Sequence, residues 1–246
     1  MSMRSRWDGG LIQGFLSDLS YMASMERLGH ALIKRVLWRA PGYGRRLALT
    51  FDDGPSAKFT PQVLDILRTY GIPATFFVVG QYAAARPKLI EEILAGGNEI
   101  ANHTYTHPIL LGRGRAYVAN ELEKTHSVLQ DLGASPVFFR PPMGLFSPAI
   151  LNAAEKQGYQ TVVGDVYPRD PHRPGADVIS RRILARTRNG SVIILHDGGN
   201  FEPVDRTQTV ASLKTIIPAL KDRGFSFLTL SQLFDPNHTL LGDGHD

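Results

Sequence analysis

At five points in the chain, ionisable side chains follow directly on an apolar, β-rich run. "LALTFDDGPS" (residues 47–56) ends on Asp52 and Asp53. "NEIANHTYTHP" carries His103 and His107, and "VFFRPPMG" carries Arg140. "GDVYPRDPH" carries Asp165, Asp170 and His172, and "VIILHDGG" carries His196 and Asp197. His103 and His107 form a His-x-x-x-His pair, for which two unrelated histidines are the commoner outcome. As ligands, two neutral imidazoles with one carboxylate would make a facial metal site with open positions, which suits Zn²⁺ and also Co²⁺, Ni²⁺ or Fe²⁺. A catalytic Zn²⁺ lowers the pKa of a bound water from about 15.7 to about 7. A carboxylate beside such a site can take the water's proton. A histidine kept charged by a further carboxylate can protonate a leaving group. The Asp52-Asp53 pair is the most telling of these features, because two neighbouring anions repel and burial raises that cost. A solvated Asp-Asp-Gly-Pro turn is the plain alternative.

The elements that must position these groups alternate along the chain. Apolar, β-rich runs fall at 46–51, 74–79, 98–102, 137–140, 160–164, 191–195 and 225–230. Between them lie amphipathic segments with helical spacing. "TPQVLDILRTYG" opens with Thr60 as expected N-cap and Pro61 at the first helical position, and "RPKLIEEILAGG" closes on two glycines. "YVANELEKTHSVLQDLG", "SPAILNAAEKQG", "ADVISRRILARTRNG" and "TVASLKTIIPALKDRG" each stop on Gly. Strand-helix alternation predicts an α/β fold with parallel strands covered by helices. Seven repeats suit a (β/α) barrel better than a short open sheet, with a doubly wound sheet as the alternative. In a parallel barrel the site lies at the carboxyl ends of the strands, which is where these ionisable groups fall.

Composition narrows the classes. The 246 residues are 43% hydrophobic and 20% charged, an ordinary globular balance. The net charge of +4 is small and spread out, which argues against nucleic-acid binding. There is no cysteine, so disulfides and thiolate metal sites are excluded. No run reaches the roughly 18 apolar residues of a membrane helix, and no cleavable signal peptide is evident. Residues 1–44 read as a separate basic extension. Leu28, Leu32, Val36 and Ala40 recur at steps of four with Lys34, Arg35 and Arg39 between them, which predicts an amphipathic helix over 25–40 ended by Pro41-Gly42. Such a helix packs on the main domain or makes a peripheral membrane or envelope contact. Residues 45–235 read as the catalytic unit and 236–246 as a polar tail, with His238 and His245 solvated.

"TFDDGP", "NEIANHTYTH", "RPPMG" and "LHD", in that order and at these intervals, resemble the polysaccharide deacetylases, the NodB-homology group also called carbohydrate esterase family four. The resemblance spans roughly residues 45–235. It implies a distorted (β/α) barrel and a metal-dependent hydrolase that removes acetyl groups from N-acetylglucosamine polymers such as chitin or peptidoglycan, or from O-acetylated xylan. It also implies a carbohydrate partner and a place at the cell envelope or outside the cell. Carried over residue by residue, Asp52 resembles the catalytic base and Asp53, His103 and His107 the metal ligands. Arg140 resembles the partner that holds the base, His196 the general acid, and Asp170 its acidic partner, with Asp165 a competitor for that place. Met143 stands where the family usually has an aromatic residue whose backbone N–H helps bind the oxyanion. Pro171 stands where it often has Trp, and Ile194 where it often has Leu.

Plainer readings attach to the neighbours. Asp197 is expected to cap a turn and His126 to pack or face solvent. His172 and Arg173 either line the rim or are solvated, and Tyr43, Tyr82, Phe146 and Phe201 offer aromatic surface for a sugar. Two other classes compete: an inert carbohydrate-binding protein on the same barrel, and an unrelated amidohydrolase barrel. The intact set of motifs argues against the first. The second would carry His-x-His after the first strand, which is absent.

Overall fold

The central strand of the protein is β2 (Arg46–Gly54), whose residues Leu47, Ala48, Leu49, Thr50 and Phe51 are wholly buried. A run that is apolar on both faces is what a parallel strand covered by helices requires. The computed structural model describes residues 32–42, 44–199 and 204–235. The other strands are β1 (Val36–Leu37), β3 (Thr75–Val78), β4 (Glu99–Asn102), β5 (Phe138–Phe139), β6 (Gln160–Val162), β7 (Ser191–His196) and β8 (Ser226–Phe227). They run in the order β1-β6-β5-β4-β3-β2-β7, with β8 also paired to β2. All pairings among β2 to β8 are parallel. These seven parallel strands form the expected distorted barrel. Its helices include α1 (Thr60–Tyr70), α2 (Gly80–Ala85), α3 (Pro87–Ala95), α4 (Arg115–Asp131), α5 (Pro148–Lys156), α6 (Ala176–Arg186), α7 (Thr207–Asp222) and α8 (Leu230–Phe234). Among the described residues no helix is long and apolar enough to cross a membrane.

Strand parity sorts the core. Leu47, Leu49, Phe51, Ile193 and Leu195 pack among helical residues such as Val63, Leu213 and Ile217. Ala48, Phe77, Ala101, Phe138, Val162 and Val192 form a second cluster, joined by Leu230 and Leu233 of α8. Alternate residues of a strand share a face. The face of Ala48 therefore continues to Thr50 and Asp52, that of Ala101 to His103, that of Phe138 to Arg140, and that of Val192 to Ile194 and His196. Four of the chemically interesting side chains thus follow, by parity alone, from the residues that fill the inner cluster.

The predicted helix over 25–40 needs correcting. Residues 25–31 lie outside the described residues, and the helical turn that is described covers only Leu32 and Ile33. In the compact unit Met1–Val36, Arg35 N–H donates to Leu32 O at 3.1 Å. In the unit Leu37–Asp246 the chain is extended. Leu37 O accepts from Val163 N–H at 3.0 Å, Arg39 bridges Ser191 in antiparallel fashion, and Ala40 N–H donates to Gly190 O at 2.9 Å. This segment stitches the seam between the β6 and β7 sides of the barrel, with a second bridge between Val166 and Ile193. Strand edges there carry backbone groups that need partners, and that requirement overrides a weak local helical periodicity.

A second correction concerns Thr60. It is the first residue of α1, and Phe59 occupies the N-cap without a side-chain bond. The Thr60 hydroxyl instead accepts from Ser56 N–H at 2.7 Å and donates to Asp197.

Candidate active site

The end of β2 turns two adjacent carboxylates in different directions. Asp52 pairs in register with His196 on β7 and Phe77 on β3. At the next residue the β3 register shifts, and Asp53 takes a left-handed conformation, φ 69. Asp is among the residues that tolerate this region best. Parity would send Asp53 to the outer face; the left-handed turn redirects it. Gly54-Pro55, a cis peptide, follows. Gly198 sits against this turn so closely that a Cβ there would lie 2.0 Å from Asp53 O, so only Gly fits.

Asp53 Oδ1 lies 3.0 Å from His107 Nε2 and 3.4 Å from His103 Nε2. One ligand atom from each of the three residues falls within 4.8 Å of the others. His103 Nδ1 is 2.7 Å from Arg140 O, so Nδ1 carries the proton and Nε2 a free lone pair. That Nε2 is buried and has no hydrogen-bond partner. A buried acceptor in this state, aimed at a carboxylate and a second imidazole, fits a divalent metal. Burial raises the pKa of Asp53, but the His103 and His107 rings in their protonated forms and the charge of His196 outweigh it. They hold the carboxyl well below the usual carboxylate range.

The loop between the two histidines has a support that the sequence motifs did not reveal. Glu121, on α4 and almost fully buried, accepts from Tyr105 N–H at 3.0 Å, Thr106 N–H at 2.8 Å and the Thr106 hydroxyl at 3.0 Å. Thr104 and His107 both have positive φ, so the loop is bent tightly, and Thr104 Oγ1 accepts from His107 N–H at 3.1 Å. Glu121→Ala would leave the Tyr105 and Thr106 N–H groups and the Thr106 hydroxyl without their acceptor. We expect a loss of about 1–3 kcal/mol in urea unfolding and weaker Zn²⁺ binding in a competition titration.

Two further pairs complete the rim. Arg140 NH1 donates to Asp52 Oδ1 at 2.5 Å and to Thr50 Oγ1 at 2.8 Å, Nε donates to Val162 O at 3.3 Å, and the guanidinium lies 3.9 Å over the Phe77 ring. A buried Asp52 thus has a buried counter-ion. His196 Nδ1 lies 3.0 Å from Asp170 Oδ1, while Asp170 Oδ2 accepts from His196 N–H at 3.0 Å and Thr209 Oγ1 at 2.9 Å. Burial lowers the His196 pKa, but Asp170, with Asp53 and Asp52 adding, pushes it up to about 9. Asp165 is engaged elsewhere, accepting from Val192 N–H at 2.9 Å and Ser191 Oγ at 3.2 Å. Asp170, not Asp165, therefore faces His196.

Asp52, Asp53, His103, His107, Arg140, Met143 and His196 all line one cavity of about 760 Å³, while Asp170 sits behind His196. Pro171, His172, Arg173 and Ile194 also line it. Met143 has φ 60 and is 73% exposed. Asp197 is buried against Thr60, with burial and the Asp53 and Asp52 charges pushing its carboxyl up to about 7. It ties the end of β7 to the start of α1. His126 Nδ1 meets the Tyr159 hydroxyl at 2.6 Å and does not line the cavity. Of the aromatic candidates, Phe146 packs on Trp38 and Tyr82 lies under Arg86, whereas Tyr43 and Phe201, like His238 and His245, lie outside the described residues.

Comparison with known proteins agrees with this arrangement. Residues 39–162 match the family model for polysaccharide deacetylase. A peptidoglycan-N-acetylglucosamine deacetylase of Bacillus cereus is 38% identical over 205 residues, covering 82% of this chain and 94% of the relative. A chitooligosaccharide deacetylase of Sinorhizobium fredii is 45% identical over 192 residues, covering 75% and 89%. The crystal structure of the Bc1960 peptidoglycan N-acetylglucosamine deacetylase superposes with a TM-score of 0.76 at 35% identity, covering 81% of this chain and 92% of that one. With the family motifs gathered around one cavity and matches that span most of each relative, the chain belongs to the polysaccharide deacetylase family.

Proposed function

We propose that this protein is a metal-dependent N-deacetylase acting on N-acetylglucosamine units of a chitooligosaccharide or peptidoglycan-type glycan. The relatives that carry these activities support the substrate class. The observation that carries the mechanism is the clustering of the Asp53, His103 and His107 ligand atoms within 4.8 Å, beside a carboxylate held by Arg140 and an imidazole held by Asp170.

Asp53, His103 and His107 would hold the metal, most simply Zn²⁺, with Co²⁺, Ni²⁺ or Fe²⁺ also compatible. When bound, the ion would polarise the acetamide carbonyl and acidify a water. Asp52 takes the proton from the attacking water, and Arg140 fixes the orientation of that carboxylate. As the water oxygen bonds to the acetyl carbon, negative charge builds on the former carbonyl oxygen, and the Met143 backbone N–H donates to it. The C–N bond then breaks as His196 gives its proton to the departing amine nitrogen, leaving acetate and a free amine.

Acetate release from N-acetylated chitooligosaccharides, peptidoglycan and O-acetylated xylan tests this reading. Release from the first two, or either, is expected. Release from xylan alone would make the protein an O-acetyl esterase, and release from none would leave a carbohydrate-binding protein.

His196 works as an acid only while protonated. Because Asp170 holds that proton, the alkaline limb of kcat should lie above the ordinary histidine value of about 6.5. Asp170→Asn removes the main cause of the increase, so the alkaline limb should move to lower pH, towards the ordinary histidine value of about 6.5. The sign for stability is the same. The His196–Asp170 pair stabilises the fold fully below about 6.5, and that contribution is lost as pH rises through the folded value. Paired pH-rate profiles of the two proteins measure the shift; coincident alkaline limbs would remove His196 from the acid role.

A further inference from the structure

The lining of the catalytic cavity divides chemically. Beside the carboxylates, imidazoles and Arg140 stands an apolar set that includes Trp38, Met143, Val163 and Ile194. We infer that Trp38 is the aromatic platform on which this cleft stacks the ring of a bound N-acetylhexosamine, and so is a specificity-determining residue outside the catalytic motifs. The inference rests on the deacetylase reading above.

Three observations carry it. First, Trp38 lies on the seam segment, and its neighbours are fixed on both sides. Leu37 O accepts from Val163 N–H, Arg39 bridges Ser191, and Ala40 N–H donates to Gly190 O at 2.9 Å. The backbone of Trp38 is therefore as well held as that of a strand residue. Second, the indole is braced edge-on by Phe146, with centroids 6.1 Å apart and planes at 65°, while Trp38 itself is only partly buried and lines the cavity. A ring fixed in this way has little rotamer freedom left to lose on binding. Third, the other uncharged aromatic ring of the lining, Tyr167, lies 6.1 Å from the His196 ring and so belongs to the proton-transfer side. Trp38 is the broad apolar ring remaining among the described lining residues.

The ligand chemistry matches. A β-linked glucosamine ring has equatorial substituents and axial hydrogens, so both faces are apolar and the edge is polar. Such a disc suits a flat indole below and polar groups around its edge, the usual layout of a small-molecule site. Trp38 is contributed by the stretch that periodicity assigns to a helix, which is why inspection of the strand ends does not find it.

The chain has two tryptophans, Trp7 and Trp38, so Trp7→Phe makes fluorescence report on Trp38 alone. On an Asp52→Asn background, which slows turnover enough for a binding titration, N-acetylated chitotetraose should give a saturable change in emission. In the active protein, Trp38→Ala should raise KM about ten-fold, equivalent to about 1.4 kcal/mol, with kcat little changed and metal content unaltered. Trp38→Phe should recover part of the loss, and the thermal melts of all variants check folding. The inference is overturned if emission stays constant while calorimetry shows the sugar binding, or if a folded Trp38→Ala protein keeps its KM. If the unmutated protein releases no acetate from any glycan, the deacetylase reading falls. The platform then stands or falls on the fluorescence titration, and a silent titration removes it too.

Discussion

Asp52→Asn should reduce kcat on a chitooligosaccharide by about 10²–10⁴-fold while leaving metal content unchanged. The substitution is nearly isosteric and keeps an oxygen at the position where Arg140 NH1 donates at 2.5 Å. What disappears is the ability to take a proton. Asp52 contributes no atom to the Asp53, His103 and His107 group, so the metal site should survive. Steady-state kinetics with metal analysis of the same sample separates these effects. An Asn variant with unaltered kcat would assign the base role elsewhere. Loss of metal together with turnover would place Asp52 in the metal shell.

The neighbouring residue should behave in the opposite way. Asp53→Ala should lose bound metal and turnover together, because it removes the only carboxylate of the three-residue group. It also leaves His103 Nε2 facing only the second imidazole, His107, with no anionic ligand beside it. The loss of Zn²⁺ affinity should exceed the roughly 10–100-fold that follows removal of an outer-shell partner. Metal content after dialysis and the zinc concentration needed to restore acetate release measure it. Two adjacent aspartates with separable phenotypes, one on turnover and one on metal, is the result expected from the left-handed turn between them.

Much of this architecture was legible because strand ends and helix stops leave local marks. The apolar run at 46–51, the β-branched run at 191–195 and the glycines at 71, 133, 158 and 224 mark elements whose bounds match the structure closely. Asp52, His103, Arg140 and His196 follow from parity once the strands are drawn. Other features depend on contacts distant in sequence. The segment 37–40 has a helical spacing, but its hydrogen bonds go to residues 163 and 190, which no local pattern encodes. Glu121 reads as one acidic residue on an amphipathic helix, and only the fold brings it under Tyr105 and Thr106. Thr60 looks like an N-cap, yet its hydroxyl is claimed by Asp197, 137 residues away. The choice between Asp165 and Asp170 likewise needed the course of the loop after β6, since both lie within a few residues of each other and only one meets His196.

The most direct test of the central claim is acetate release from an N-acetylated chitooligosaccharide by protein stripped of metal and then titrated with Zn²⁺. The account predicts negligible release from the stripped protein and recovery that saturates near one Zn²⁺ per chain, with no recovery in Asp53→Ala. Undiminished release from protein shown to be free of metal would contradict it.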